Sequence, residues 1–341
     1  MVYANQTQTN FTVGLQYEGL LGRLFSSTLT TVPCCVFLFI NGTMLFTLRS
    51  KSVFRETSRY ILLFNLLFAD TVLLALSQFL YLLASCTITL SYPVCGVITM
   101  LTNLTNEVSP LTLVVMCLER YVAVCYPLRH ASIVTIRNTN MAIIVVWAFS
   151  SLNVFIRVVL LLDFPFSDLD TLQMTDFCSH LAMFLNPVSN IYDKAYTGFL
   201  FTSAGVAVIS SYLGVVIAAR SASTDKASAR KARNTLLLHL VQLGLTLLST
   251  IQNPLLIAIS QIVTRIVIVR IQITLHVCIF LFPRCLSAFI YGLRDQTIRP
   301  VLMFNLCCRL KRSVVPAKAE KSSLVKFSGR PRLVTISGFS C

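Results

Sequence analysis

Apolar residues in this chain come in runs longer than a water-soluble helix needs, and polar residues collect between the runs. A helix rises 1.5 Å per residue, so crossing a hydrocarbon core about 30 Å thick takes about 20 apolar residues. Seven stretches meet that length, at 28–48, 60–83, 94–118, 141–162, 195–219, 236–259 and 269–293. Segment seven is the least regular, because Arg265 and Arg270 crowd its start and Pro283 with Arg284 interrupts it; segment six can shift by several residues. The pattern predicts an all-α membrane protein whose bundle of seven transmembrane helices occupies 28–293, since only structures that satisfy their own backbone span lipid.

Composition agrees. The chain is 55% hydrophobic and 12% charged, with mean hydropathy +0.76, so lipid is its main solvent; a soluble domain carries about 25% charged residues. The 28 Lys and Arg set the orientation. Four follow segment one, three follow segment three, five follow segment five and ten lie from Arg294 to Arg332, all on one side. Arg23, Arg157, Lys194, Arg265 and Arg270 fall on the other. The positive-inside rule then predicts a plasma-membrane chain with residues 1–27 extracellular and the C-terminus cytoplasmic. Sequons at Asn5 and Asn10 lie in that outer segment, where glycosylation is expected. The net charge of +15 is explained by this topology, not by a nucleic-acid partner. Segment one is expected to act as its own insertion signal.

Most of the twelve cysteines fall inside the apolar segments, where Cys acts as a small apolar residue. Cys95, at the outer end of segment three, and Cys178, in the loop between segments four and five, stand apart. A disulfide between them would pin that loop over the bundle, with Cys86 as the competing partner. Beyond segment seven, Ile298, Val301, Leu302 and Leu306 have helical spacing, which predicts an amphipathic juxtamembrane helix over 294–308 lying in the membrane plane. Cys307 and Cys308 on it are candidate palmitoylation sites, unless they pack unmodified, and the basic residues after them would meet anionic membrane lipid. The Ser, Lys and Arg-rich stretch 309–341 reads as a mostly disordered cytoplasmic tail.

Two kinds of charge sit in or against hydrocarbon. Glu119 and Arg120 close segment three, and because each would cost roughly 2.5–3.5 kcal/mol at a helix centre they belong at the cytoplasmic boundary. Asp70 lies near the middle of segment two, and an intramembrane carboxylate marks a functional site. Arg284 is the cation available to neutralise it, with Glu107 in segment three as the rival partner.

The run from Met116 to His130, Leu66 to Asp70, Asn41, Trp147, the Cys95 and Cys178 pair, Lys231-Ala232 leading to His239, Ser211-Tyr212 and Phe289-Ile290-Tyr291 together resemble a class A, rhodopsin-like G-protein-coupled receptor of the olfactory branch. The phrasing of 231–243 and 286–308 is similar to that of divergent teleost odorant receptors. The resemblance implies an odorant receptor that binds a small-molecule odorant within the bundle and activates a heterotrimeric G protein of the olfactory stimulatory type, without a cofactor or bound metal. It implies a G-protein switch at Glu119, Arg120, Tyr121, Tyr212 and Tyr291, and a polar core of Asn41, Asp70, Arg284 and Ser287. It also implies a ligand lining from Thr102, Asn103, Asn106, Glu107, Tyr196, Phe199, Ser203, Gln252 and His276. Thr102 stands where amine receptors carry an aspartate, which disfavours an amine held there.

The chain departs from the family pattern in three places. Ser287-Ala288-Phe289-Ile290-Tyr291 replaces Asn-Pro-x-x-Tyr, so Pro283 has to supply any kink in segment seven. Segment six lacks a Cys-Trp-x-Pro motif and has Pro254 as its sole proline. Related receptors often hold a sodium ion at the position of Asp70; here Arg284 is expected to replace it with a fixed cation. Other function classes find less support. No internal repeat suggests a transporter, and the four His form no metal spacing or nucleophile motif that suggests an enzyme. The remaining alternative is a non-olfactory receptor of the same class for a peptide, lipid or metabolite.

Overall fold

The computed structural model of the chain describes residues 20–163, 173, 174, 178, 187–221, 265–285 and 297–305, with isolated positions between 234 and 259 and at 288, 292 and 295. Segments one to five form the helices Leu20–Ser50, Ser58–Ser85, Tyr92–Cys125, Ile136–Leu162 and Pro187–Ser221. All five are long and apolar enough to cross a membrane. Each runs past its apolar span, because helical turns continue into the polar residues that flank hydrocarbon. The segment-three helix, at 34 residues with Pro110 inside it, reaches about 50 Å, so Cys95 and Arg120 stand on one continuous rod.

The polarity of these helices is arranged for lipid. In Ile136–Leu162 the buried positions Thr139, Val146, Ser150, Asn153 and Arg157 form one stripe at helical spacing. Ile144, Val145, Leu152, Phe155 and Val159 face outward and are exposed on the isolated chain. The inward face is therefore the more polar one, as expected where lipid offers apolar side chains the same surroundings as a neighbouring helix does. Three packed clusters tie the bundle together. Met44, Leu63, Leu66, Leu67, Leu113 and Met116 join segments one, two and three. Cys117, Phe201, Val208, Val215 and Leu243 join three, five and six. Cys34, Leu74 and Leu281 join one, two and seven. Of segment six, residues 234, 237, 238, 240, 241, 243–245 and 259 are described, all helical; Gln252 and Pro254 lie outside the described residues.

Segment seven begins as the helix Arg265–Leu275, passes into a π-helical turn at His276–Leu281 and continues helically to residue 285. Phe282 N–H reaches back to the Val277 carbonyl in that wide turn. Pro283 follows at once. It has no N–H for the carbonyl a turn earlier, so the irregularity expected of it takes the form of a widened turn just ahead of it.

Residues 298–305 are helical, within the stretch expected to form the juxtamembrane helix. The Asp295 carboxylate accepts from the N–H groups of Thr297 at 2.9 Å and Ile298 at 3.4 Å, capping the helix start. It also accepts from the Tyr60 hydroxyl at 3.2 Å and pairs with Arg59 at 3.3 Å. Ile298 and Leu302 are buried in the cluster of segments one to three, and Asn305 donates to Thr47 at 2.9 Å. Their apolar stripe thus packs against protein, while Met303 and Phe304 are the exposed pair. Leu306, Cys307, Cys308 and the rest of 309–341 lie outside the described residues, as do Asn5 and Asn10.

At the opposite end Cys95 and Cys178 form a disulfide with Cα atoms 5.5 Å apart, and Cys86 is free and exposed. Beside it an isolated β-bridge pairs Ser91 with Gln173, and Met174 N–H donates to Leu90 at 3.1 Å. The bridge spans 83 residues, for which chain entropy gives at most about 4.5 kcal/mol, less where the membrane already confines the unfolded chain. Cys178→Ala is expected to lower the melting temperature of the purified protein by several degrees, and Cys86→Ala to leave it unchanged.

Candidate functional site

The first interior network centres on Arg284, which is 3% exposed. Its Nη1 lies 3.3 Å from Asp70 Oδ1, and its Nη2 donates to Asn106 Oδ1 at 2.7 Å. Ser109 donates to the same Asp70 oxygen. The guanidinium stands 4.7 Å over the Phe280 ring, a cation–π contact from the π-helical turn of its own segment. One side chain therefore ties segments seven, two and three, and between the two candidate partners left by the sequence it faces Asp70. An unpaired charge here would be far more costly than the pair, because nothing in hydrocarbon solvates it.

A second network lies on the other side of segment three. Glu107, one residue beyond Asn106, accepts from Asn153 at Oε1 and from the Tyr196 hydroxyl at Oε2, the latter at 3.1 Å. Arg157 Nη2 is 3.9 Å from Glu107 Oε1, while its Nη1 pairs with Asp193 at 2.6 Å. Tyr192 donates to Asn153 at 2.7 Å, and the Arg157 guanidinium is 5.9 Å from the ring centres of both Tyr192 and Tyr196. Successive residues on a helix point about 100° apart, so Asn106 and Glu107 let one rod serve two separate charge systems.

At the far end of the same rod Glu119 Oε2 lies 3.0 Å from Arg120 Nε, with His130 3.7 Å from the other Glu119 oxygen. Both charges are largely covered. Tyr121 and Tyr212 pack beside Cys117, Val215 and Leu243, where segments three, five and six meet. Charge-assisted contacts of this kind are strong yet breakable when a competing partner arrives.

The family comparison fits this arrangement. The seven transmembrane receptor (rhodopsin family) pattern matches residues 40–291. The chain belongs to that receptor family. It is 32% identical over 275 residues to Odorant receptor 131-2 of Danio rerio, covering 80% of this chain and 83% of the relative. It is also 29% identical over 140 residues to Olfactory receptor 2A12 of Homo sapiens, covering 40% and 44% of the two chains. The receptor is accordingly a multi-pass membrane protein with the seven-helix bundle of its family, which is a receptor family and not an enzyme class.

The remaining expected ligand-lining residues of the receptor separate into two groups. Thr102 bonds its own helix carbonyl at Ile98 at 2.8 Å, and Asn103 is half-buried nearby. His276 stacks on Phe280 at 5.0 Å and on Tyr81 at 6.2 Å, which puts it directly above Arg284 along its segment. Phe199 and Ser203 are placed differently from the expectation. Phe199 is 64% exposed and Ser203 is exposed with its hydroxyl on the Leu200 carbonyl. Each precedes a buried residue, Leu200 or Ala204, and so points about 100° away from the inward stripe. Both leave the lining and face the lipid side. Asn41 is fully buried, and its amide has no hydrogen-bond partner among the described residues. Ser287 and Tyr291 lie outside the described residues.

Several interior residues escaped the sequence reading. Arg157, counted there only with the charges of the outer side, is a buried helix residue, and its lone charge within the apolar run 141–162 was the available signal. Asn153, Asp193 and Tyr192 carried no signal apart from that partner. Asn65 accepts from the Trp147 indole at 2.8 Å and donates to Thr112 at 2.9 Å, joining segments two, three and four. No group of three His, Cys, Asp or Glu suited to a metal occurs among the described residues.

Removing one member of a buried pair costs about 3–5 kcal/mol. Arg284→Ala is expected to lower surface expression and melting temperature sharply, and Arg284→Ala/Asp70→Asn to recover most of the loss. A double variant no better than the single one would show that the pairing is not what the receptor needs.

Proposed function

We propose that this receptor is an odorant receptor: it binds a small organic ligand in the outer half of the bundle and activates a heterotrimeric G protein of the olfactory stimulatory type. The observation that carries the reading is the closed Glu119–Arg120 contact of 3.0 Å at the end of the segment-three rod. It is supported by the relationship to Odorant receptor 131-2 across most of both chains. In this reading the end bearing Cys95 is extracellular and the end bearing Glu119 is cytoplasmic, in keeping with the distribution of Lys and Arg.

The ligand is read by Thr102, Asn103, Asn106, Glu107, Tyr196 and His276, a lining of hydrogen-bonding groups between aromatic faces, with Gln252 as the contribution of segment six. Agonist binding shifts the resting population; Arg120 leaves Glu119 and meets Tyr212, Tyr291 and the G protein. Asp70, Arg284 and Asn41, with Ser287, form the polar core through which segments one, two and seven move as a unit. Arg284 acts there as a fixed cation and makes the receptor insensitive to sodium.

The test is cyclic AMP recorded from cells carrying the receptor and an olfactory stimulatory G protein, while amino acids, bile-acid-like compounds and volatile organics are screened. A response that disappears in Arg120→Ala at equal surface expression is the expected result. Silence of the whole panel at confirmed surface expression would count against the odorant reading. Glu119→Gln, which keeps the shape and removes the charge, is expected to raise basal cyclic AMP severalfold; an unchanged baseline would mean that the pair is a static boundary contact.

A further inference from the structure

Glycine weakens a helix interior relative to alanine, so a glycine within one needs a reason. The segment-five helix holds three, Gly198, Gly205 and Gly214. A Cβ built on Gly198 or Gly205 meets nothing within 4 Å. One built on Gly214 would overlap the Tyr121 ring at Cε2, with Cδ2 3.0 Å and Cζ 3.5 Å away. The atoms in the way are the body of a ring, not the far end of a flexible chain. That ring is half-buried. It meets Tyr126 edge-on at 6.0 Å, and it packs on the cluster of Cys117, Val215 and Leu243 that joins segments three, five and six.

We propose that Gly214 is a positioning residue for the signalling switch: the missing side chain lets Tyr121 dock on segment five, and this contact sets the resting separation of segments three and five beside Glu119 and Arg120. The inference rests on the G-protein reading above. Tyr121 directly follows Arg120, so a methyl group at 214 either pushes the two helices apart or turns Tyr121 out of the cluster. Both movements strain the backbone that carries the Glu119–Arg120 contact. Packed helix interfaces hold a few discrete arrangements instead of deforming smoothly, so relief of the overlap favours the open arrangement.

The experiment compares Gly214→Ala with Gly205→Ala in the full-length receptor, by basal cyclic AMP at equal surface expression and by the melting temperature of purified receptor. Gly214→Ala is expected to raise the baseline at least twofold and to lower the melting temperature. Gly205→Ala is expected to leave the baseline unchanged and the melting temperature equal or higher. Tyr121→Leu removes the ring, so adding Gly214→Ala to it should change neither readout further. If Gly214→Ala does not reach the surface, Gly214→Ala/Tyr121→Leu is expected to return there, and its absence would overturn the proposal. Equal effects of the two alanines, or additivity in the Tyr121→Leu background, would overturn it as well. The melting comparison does not depend on coupling: a normal stability cycle in a receptor whose Glu119→Gln form also fails to signal would fault the G-protein reading, while the packing constraint would stand.

Discussion

A charge in hydrocarbon must find its counter-charge within the protein, and this constraint organises the described bundle. Translocon scales put a lone charged residue at a helix centre at roughly 2.5–3.5 kcal/mol, and each of the interior carboxylates here is faced by a guanidinium on another segment. Asp70 is answered by Arg284, and Glu107 with Asp193 is answered by Arg157. Each guanidinium reaches two other segments, and so acts as a cross-brace as well as a counter-ion. Segment three lies between the braces, carrying Asn106 toward one and Glu107 toward the other. It also carries the disulfide at one end and the Glu119–Arg120 contact at the other.

The two ends of that rod differ in kind. Near Cys95 a covalent bond, a β-bridge and a backbone hydrogen bond hold the loop residues Gln173, Met174 and Cys178. Near Glu119 the contacts are an ion pair and van der Waals packing: Arg120 on the carboxylate with His130 3.7 Å from it, and the Tyr121 ring against a glycine. Contacts of the second kind can be exchanged at small cost in free energy, as a two-state element requires. The capping of 298–305 by Asp295, itself held by Arg59 and Tyr60, extends this ordered base toward segment two.

Much of this was legible in the sequence because the bilayer imposes a length and a polarity that single residues cannot disguise. Five of the seven apolar stretches became five long helices, and a carboxylate at 70 or an arginine at 284 announces an interior site by position alone. Legibility fell where an answer depended on rotation or on register. Arg157 lies five residues from its helix end, near enough to count with the outer charges, and only the angle of its stripe turns it inward. Phe199 belongs to the lining that the family resemblance implies, yet one step of rotation separates it from the buried Leu200. The π-helical turn before Pro283 left no sequence signal beyond the proline itself, and the packing of Ile298 and Leu302 against protein has the same amphipathic pattern as packing against lipid.

Permanent neutralisation of Asp70 by the interior Arg284 guanidinium is the proposal on which the polar core rests. Its most direct test is the melting temperature of purified receptor as sodium chloride replaces potassium chloride at constant ionic strength. One melting temperature is expected at every ratio, because Arg284 already occupies the carboxylate. A rise specific to sodium would mean that a mobile ion competes for Asp70 and would contradict the claim.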